Sequence, residues 1–97
     1  DSLLGTAGDI VISVSGVNIV VAYAIRDTGI KLSVRSTCSR VKANDLVCRV
    51  VEGVGVGGGH NHMAGGFIPK ENLSDSRLID TFLKHRAISF YEQAIIS

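Results

Sequence analysis

At 97 residues, with 45% hydrophobic and 20% charged residues, the chain is long enough for one small globular domain and too apolar for a disordered one. No apolar run approaches the ~18 residues of a membrane-spanning helix, so no membrane partner is expected. A formal net charge of +1 does not by itself imply nucleic acid. Two cysteines, Cys38 and Cys48, are too few for a disulfide framework or a zinc knuckle. Read as free, buried thiols, they point to a reducing compartment and a cytoplasmic location. No signal peptide is visible. The sequence starts at Asp1 and its one methionine is Met63, so residues 1–97 are expected to be a single domain cut from a longer protein.

Residues 1–8 carry little pattern. Ile10 to Val14 is β-rich, and Val17 to Ile25 is an almost continuous apolar run. Such a run predicts a strand buried on both faces. Ser15-Gly16 between them is a hairpin signal, and Arg26-Asp27-Thr28-Gly29 is a second turn. Ile30 to Arg35 then alternates. Ile30, Leu32 and Val34 share one face, and Lys31, Ser33 and Arg35 share the other. These three strands predict an antiparallel meander with Arg35 on a polar face at its end.

From about Ala43 the period becomes helical, with Val47, Val50, Val51 and Val54 on one stripe. Asn44 or Asp45 complements the start of this helix, and Gly53 and Gly55 end it. Ala64 to Ile68 predicts a fourth strand, stopped by Pro69. Ser74-Asp75-Ser76 is an N-cap cluster for a second helix over about Ser76 to Phe90, with Leu78, Ile79, Phe82 and Leu83 buried and His85 on the surface. Ala94-Ile95-Ile96 is a candidate edge strand, or packs against the missing part. The fold class is therefore α/β: a mixed sheet of four or five strands, an antiparallel meander first, and two main helices.

Six of the chain's eleven glycines fall between Gly55 and Gly66. Glycine run and apolar flanks together suggest a loop held between buried elements, where function concentrates more often than in a free linker. It lacks the Lys-Ser/Thr of a Walker A loop and follows a helix, unlike a Rossmann fingerprint. His60 and His62 alone, with no carboxylate or thiol nearby, make a poor metal pair, so no metal is expected here. Between Arg26 and Lys42 stand Arg26, Lys31, Arg35, Arg40 and Lys42 against Asp27 alone. A local basic patch beside a glycine loop suits an anionic ligand. Arg offers a planar fork, successive glycine amides an anion-binding nest, and His a further donor. Gly58→Val is expected to be more damaging than His60→Ala or Arg35→Ala, because a β-branched residue cannot take a left-handed conformation cheaply.

Ser33-Val34-Arg35-Ser36, a short helix, then Gly57-Gly58-Gly59-His60 followed by Ala64-Gly65-Gly66-Phe67 resembles the DHH-associated domain, the C-terminal domain of the DHH phosphoesterases. The resemblance covers about residues 10–68. It implies that Arg35, Ser36, Gly57, Gly58, Gly59 and His60 bind a substrate phosphate. It also implies a catalytic DHH domain elsewhere in the same chain, holding two Mn²⁺ ions. The implied ligand is a nucleotide, a short oligonucleotide or polyphosphate, and a homodimer is a further partner. The parent would be a phosphoester or phosphoanhydride hydrolase, and this stretch alone, lacking a DHH triplet, would be inactive. The alternative is a nucleic-acid-binding module with no hydrolase attached, as at the end of alanyl-tRNA synthetases. A third alternative is a structural domain whose loop only packs at an interface.

Overall fold

The computed structural model describes residues 7–14, 16–73 and 78–96. Five strands form one sheet: β1 (Ala7–Val14), β2 (Val17–Arg26), β3 (Gly29–Ser36), β4 (Val56–Gly59) and β5 (Met63–Pro69). Their order across the sheet is β1-β2-β3-β5-β4. Two helices complete the α/β domain, α1 (Ala43–Val50) and α2 (Ile79–Ile96). The meander comes first, as the turns predict. Every neighbouring pair is antiparallel, so the described sheet contains no parallel pairing that would make it mixed. Val14 pairs with Val17, and Gly16 takes φ +83° at that connection. Ser15 of the hairpin signal, the lead-in residues 1–6 and the Ser74-Asp75-Ser76 cap cluster lie outside the described residues.

Both helices cover the same face. On β3, Ile30, Leu32, Val34 and Ser36 are buried while Lys31, Ser33 and Arg35 are exposed, the period-2 alternation of a one-sided sheet. Ile19, Val21 and Tyr23 of β2 join the buried side. They share one core with Leu46, Val47 and Val50 of α1 and with Ile79, Leu83 and Ala87 of α2. β2 is therefore not buried on both faces. Val20, Ala22 and Ala24 on its other side are only half-covered, because no layer packs there. Its apolar run exceeds what burial requires.

α2 runs six residues past the predicted end at Phe90 and takes in Ala94, Ile95 and Ile96, which form no edge strand. Leu78 precedes the helix and is exposed, so the buried stripe is Ile79, Leu83 and Ala87 with Phe82 at its margin. Arg40 caps the far end by donating to the Ile95 carbonyl at 3.1 Å.

The start of α2 is tied to the sheet by Tyr23, whose hydroxyl donates to Asp80 Oδ1 at 2.8 Å. Burial, and then the Asp80 carboxylate, raise the Tyr23 pKa. The hydrogen bond from Tyr23, and then the one from Lys84, lower that of Asp80. A lowered carboxylate stabilises the fold above its unfolded pKa and stops doing so as pH falls through the folded value. A raised phenol stabilises below its unfolded pKa and stops as pH rises through the folded value. The stability difference between wild type and Tyr23→Phe should thus be widest between about pH 5 and 9, shrinking toward acid and alkali. Urea unfolding midpoints across pH check this; a difference that does not vary with pH would contradict it.

Candidate functional site

The glycine-rich stretch is not a loop. Gly57 and Gly58 form edge strand β4 with Val56 and Gly59, and the chain turns through His60, Asn61 and His62 into β5. Gly57 pairs with Gly66, and both lie under α1. A Cβ at Gly66 would come within 3.0 Å of Val47 Cγ2, and one at Gly57 within 3.2 Å of Val47 Cγ1. Their bareness lets the helix approach the sheet closely. At Gly59 the demand is conformational: φ is +156°, and a Cβ would sit 2.6 Å from the Ala64 Cα. Gly58 has neither constraint, since the nearest atom to its Cβ position is 3.8 Å away. The steric penalty expected at Gly58 belongs to Gly59.

The turn is clamped to the body of the domain by its carbonyls. The Asn44 amide donates to His60 at 3.1 Å, the Ala43 amide to Asn61 at 2.7 Å and the Ser36 amide to His62 at 3.1 Å. The bonds from Ala43 and Asn44 satisfy the first free amides of α1, which has no side-chain N-cap. The His62 ring returns to β3, with Nδ1 2.9 Å from the Ser36 carbonyl. A carbonyl only accepts, so Nδ1 carries the proton there. Two side chains of α1 one turn apart also reach the outer edge of β4. Asn44 Oδ1 accepts from the Gly59 amide at 3.2 Å, and the Cys48 thiol donates to the Gly57 carbonyl at 3.4 Å. Cys48 is exposed; of the two thiols only Cys38 is buried, and both are free.

The six residues expected to bind substrate do converge on this corner, but in different ways. Arg35 is exposed on the helix-free face and lies opposite Met63 in the β3–β5 register. His60 is exposed at the end of β4, and its amide donates to the Met63 carbonyl at 2.7 Å. Both residues thus border Met63. Ser36 is buried, and its hydroxyl donates to the Val41 carbonyl at 2.6 Å and accepts from the Cys38 amide at 3.1 Å. It shapes the link from β3 to α1. Of the glycine amides, Gly59's is taken by Asn44, and Gly58 stands opposite Gly65 in the ladder. The run is a frame more than a nest. The sequence offered Asn44 only as a complement to the start of α1 and His62 only as half of a poor metal pair; the roles seen here were missed because the partners are backbone atoms 15 and 26 residues away.

Lys42, next to the first residue of α1, adds a fourth basic side chain to Arg35, His60 and His62 around the turn, with Asp45 the acid in the first turn of the helix. Such a corner can hold an anion. Among the described residues no three His, Cys, Asp or Glu side chains converge, so this donor set does not fit the Mn²⁺ pair of the DHH enzymes. No described helix is long and apolar enough to cross a membrane.

A family model for the DHHA1 domain matches residues 2–85. No curated protein sequence and no solved structure matches the chain.

Proposed function

The chain belongs to the DHHA1 domain family, and on that premise we propose that it is the substrate-binding domain of a Mn²⁺-dependent DHH-family phosphoesterase. Domains of this family are usually attached to a DHH catalytic domain in the same chain. The ligand is the phosphate end of a nucleotide, a short oligonucleotide or polyphosphate. The observation that carries this reading is the meeting of Arg35 and His60 at Met63, on an exposed corner. Arg35 supplies a planar guanidinium to two phosphate oxygens, and His60 a further hydrogen bond. Gly57 brings the backbone of β4 close to α1, Gly59 sets the turn with Gly58 between them, and Ser36 holds the end of β3 in place. The metal pair and the attacking water belong to the catalytic domain. Hydrolysis is not the work of these residues; they position the substrate. Cytoplasmic location and a homodimer belong to the same reading.

The chain should bind AMP weakly, near millimolar, which corresponds to ~4 kcal/mol. Arg35→Ala or His60→Ala should weaken binding at least tenfold, equivalent to about 1.5–3 kcal/mol of charge-assisted contact. Both side chains are exposed, so the unfolding midpoint should hardly move. An amide-shift titration measures this. Wild-type affinity in both variants would reject the site, and Mn²⁺-dependent turnover by the chain alone would reject the division of labour. The alternative module without a hydrolase predicts affinity that climbs steadily with oligonucleotide length, along the helix-free face carrying Lys31 and Arg35.

A further inference from the structure

We propose that the backbone groups of this site that touch the anion are the amides of Asn61 and His62, not those of Gly58 and Gly59, and that Asn44 and the His62 ring are positioning residues that hold them outward. This rests on the phosphate-binding reading above and specifies its contacts.

No peptide bond is cis among the described residues. In a trans peptide the N–H points opposite to the C=O of the same unit. The His60 carbonyl is drawn to the Asn44 amide, so the Asn61 N–H of that unit points away from α1. The Asn61 carbonyl is drawn to the Ala43 amide, so the His62 N–H points away as well. Ala43 and Asn44 are consecutive, so the two outward N–H groups leave the body of the domain in similar directions. Two such donors on successive residues form the concavity that favours an anion. The amides of Gly58 and Gly59 lack this freedom. Gly59's is bonded to Asn44, and the His60-to-Met63 bond sets the ladder so that Gly58 and Gly65 form the next bonded pair.

Two side chains preserve the arrangement. Asn44 bonds the turn through its own amide and the end of β4 through its Oδ1. His62 bonds the Ser36 carbonyl through its ring, while its own carbonyl takes the Ser36 amide. The turn is thus fixed to α1 on one side and to β3, beside Arg35, on the other. The matching ligand group is a terminal phosphate with several equivalent oxygens. Arg35 and the two amides then address different oxygens of one group.

The test is an amide-shift titration of the chain with inorganic phosphate and, separately, with AMP. The largest shifts should fall on Asn61 and His62, with Gly58 and Gly59 moving less than half as far. Asn44→Ala should weaken binding roughly three- to tenfold, the scale of one lost hydrogen bond, and speed hydrogen exchange at the Gly59 amide. The Asn44→Asp variant keeps the acceptor and should keep slow exchange at Gly59 while adding a repulsive charge. Binding with shifts centred on Gly57 to Gly59 would overturn this proposal and leave the phosphate-binding reading standing. Absence of binding at either set would overturn both. Unchanged affinity and exchange in Asn44→Ala would remove the positioning role.

Discussion

Gly59→Ala is expected to destabilise the domain by roughly 2–4 kcal/mol, from a strained backbone conformation plus overpacking. Gly59 holds φ +156°, which L side chains rarely adopt, and the added methyl would stand 2.6 Å from the Ala64 Cα and 2.7 Å from the Met63 carbonyl oxygen. Neither neighbour can swing aside, because both are backbone atoms of β5, whose other edge is bonded to β3. Relief would require β4 to peel from β5, which would also release the turn carrying His60. Stability and AMP binding should therefore fall together. Gly58→Ala is the control. Its Cβ position meets only Asn44 Oδ1 at 3.8 Å, and the change should cost less than about 1 kcal/mol. Urea unfolding of the two variants decides the matter, and equal losses, or a larger loss at Gly58, would refute this account of the hairpin.

Arg86→Ala should cost a similar amount, about 2–4 kcal/mol, for a different reason. The last carbonyls of a helix have no partner within it. In α1 they are served by Arg86 of α2, whose Nη1 donates to the carbonyls of Val50 at 3.2 Å and Glu52 at 2.5 Å, with Arg49 at 3.4 Å. The guanidinium also lies 4.5 Å from the Phe82 ring centroid. Alanine removes the donor and the stacked plane together. Arg86→Lys keeps a charge but not the flat face stacked on Phe82, so it should recover only part of the loss. The proposed phosphate site lies at the opposite end of α1. AMP affinity measured well below the melting temperature should stay within about twofold of wild type. If the Arg86→Ala protein unfolds at the wild-type midpoint, the contact between the two helices is held by Leu83 and its apolar neighbours alone.

Local chemistry alone determined the meander, the exposed position of Arg35 and the start of α1 with Val47 and Val50 on its buried side, although α1 ends at Val50, before the expected Gly53, and leaves Val51 and Val54 in the turn that follows. Strand alternation, turn residues and helical period are properties of neighbours in the chain. Arg35 could be assigned to the solvent face from Ile30, Leu32 and Val34 without knowing what covers them. The family resemblance likewise rests on residues adjacent in sequence, Gly57 to His60 with Ala64 to Phe67. Tertiary structure decided the rest. Three consecutive glycines have weak strand preference, and they become β4 only because β5 pairs with them and α1 lies close against Gly57 and Gly66. The sides of β2 read alike in sequence, yet only one is covered, because both helices pack on the same face. Periodicity marked the Ile79 and Leu83 side of α2 but not its end, which runs on through Ala94, Ile95 and Ile96; contact with α1 and the bond from Arg40 hold that last stretch. The roles of Asn44 and His62 come from backbone partners far away in the chain, and no spacing of residue types encodes where a carbonyl will point.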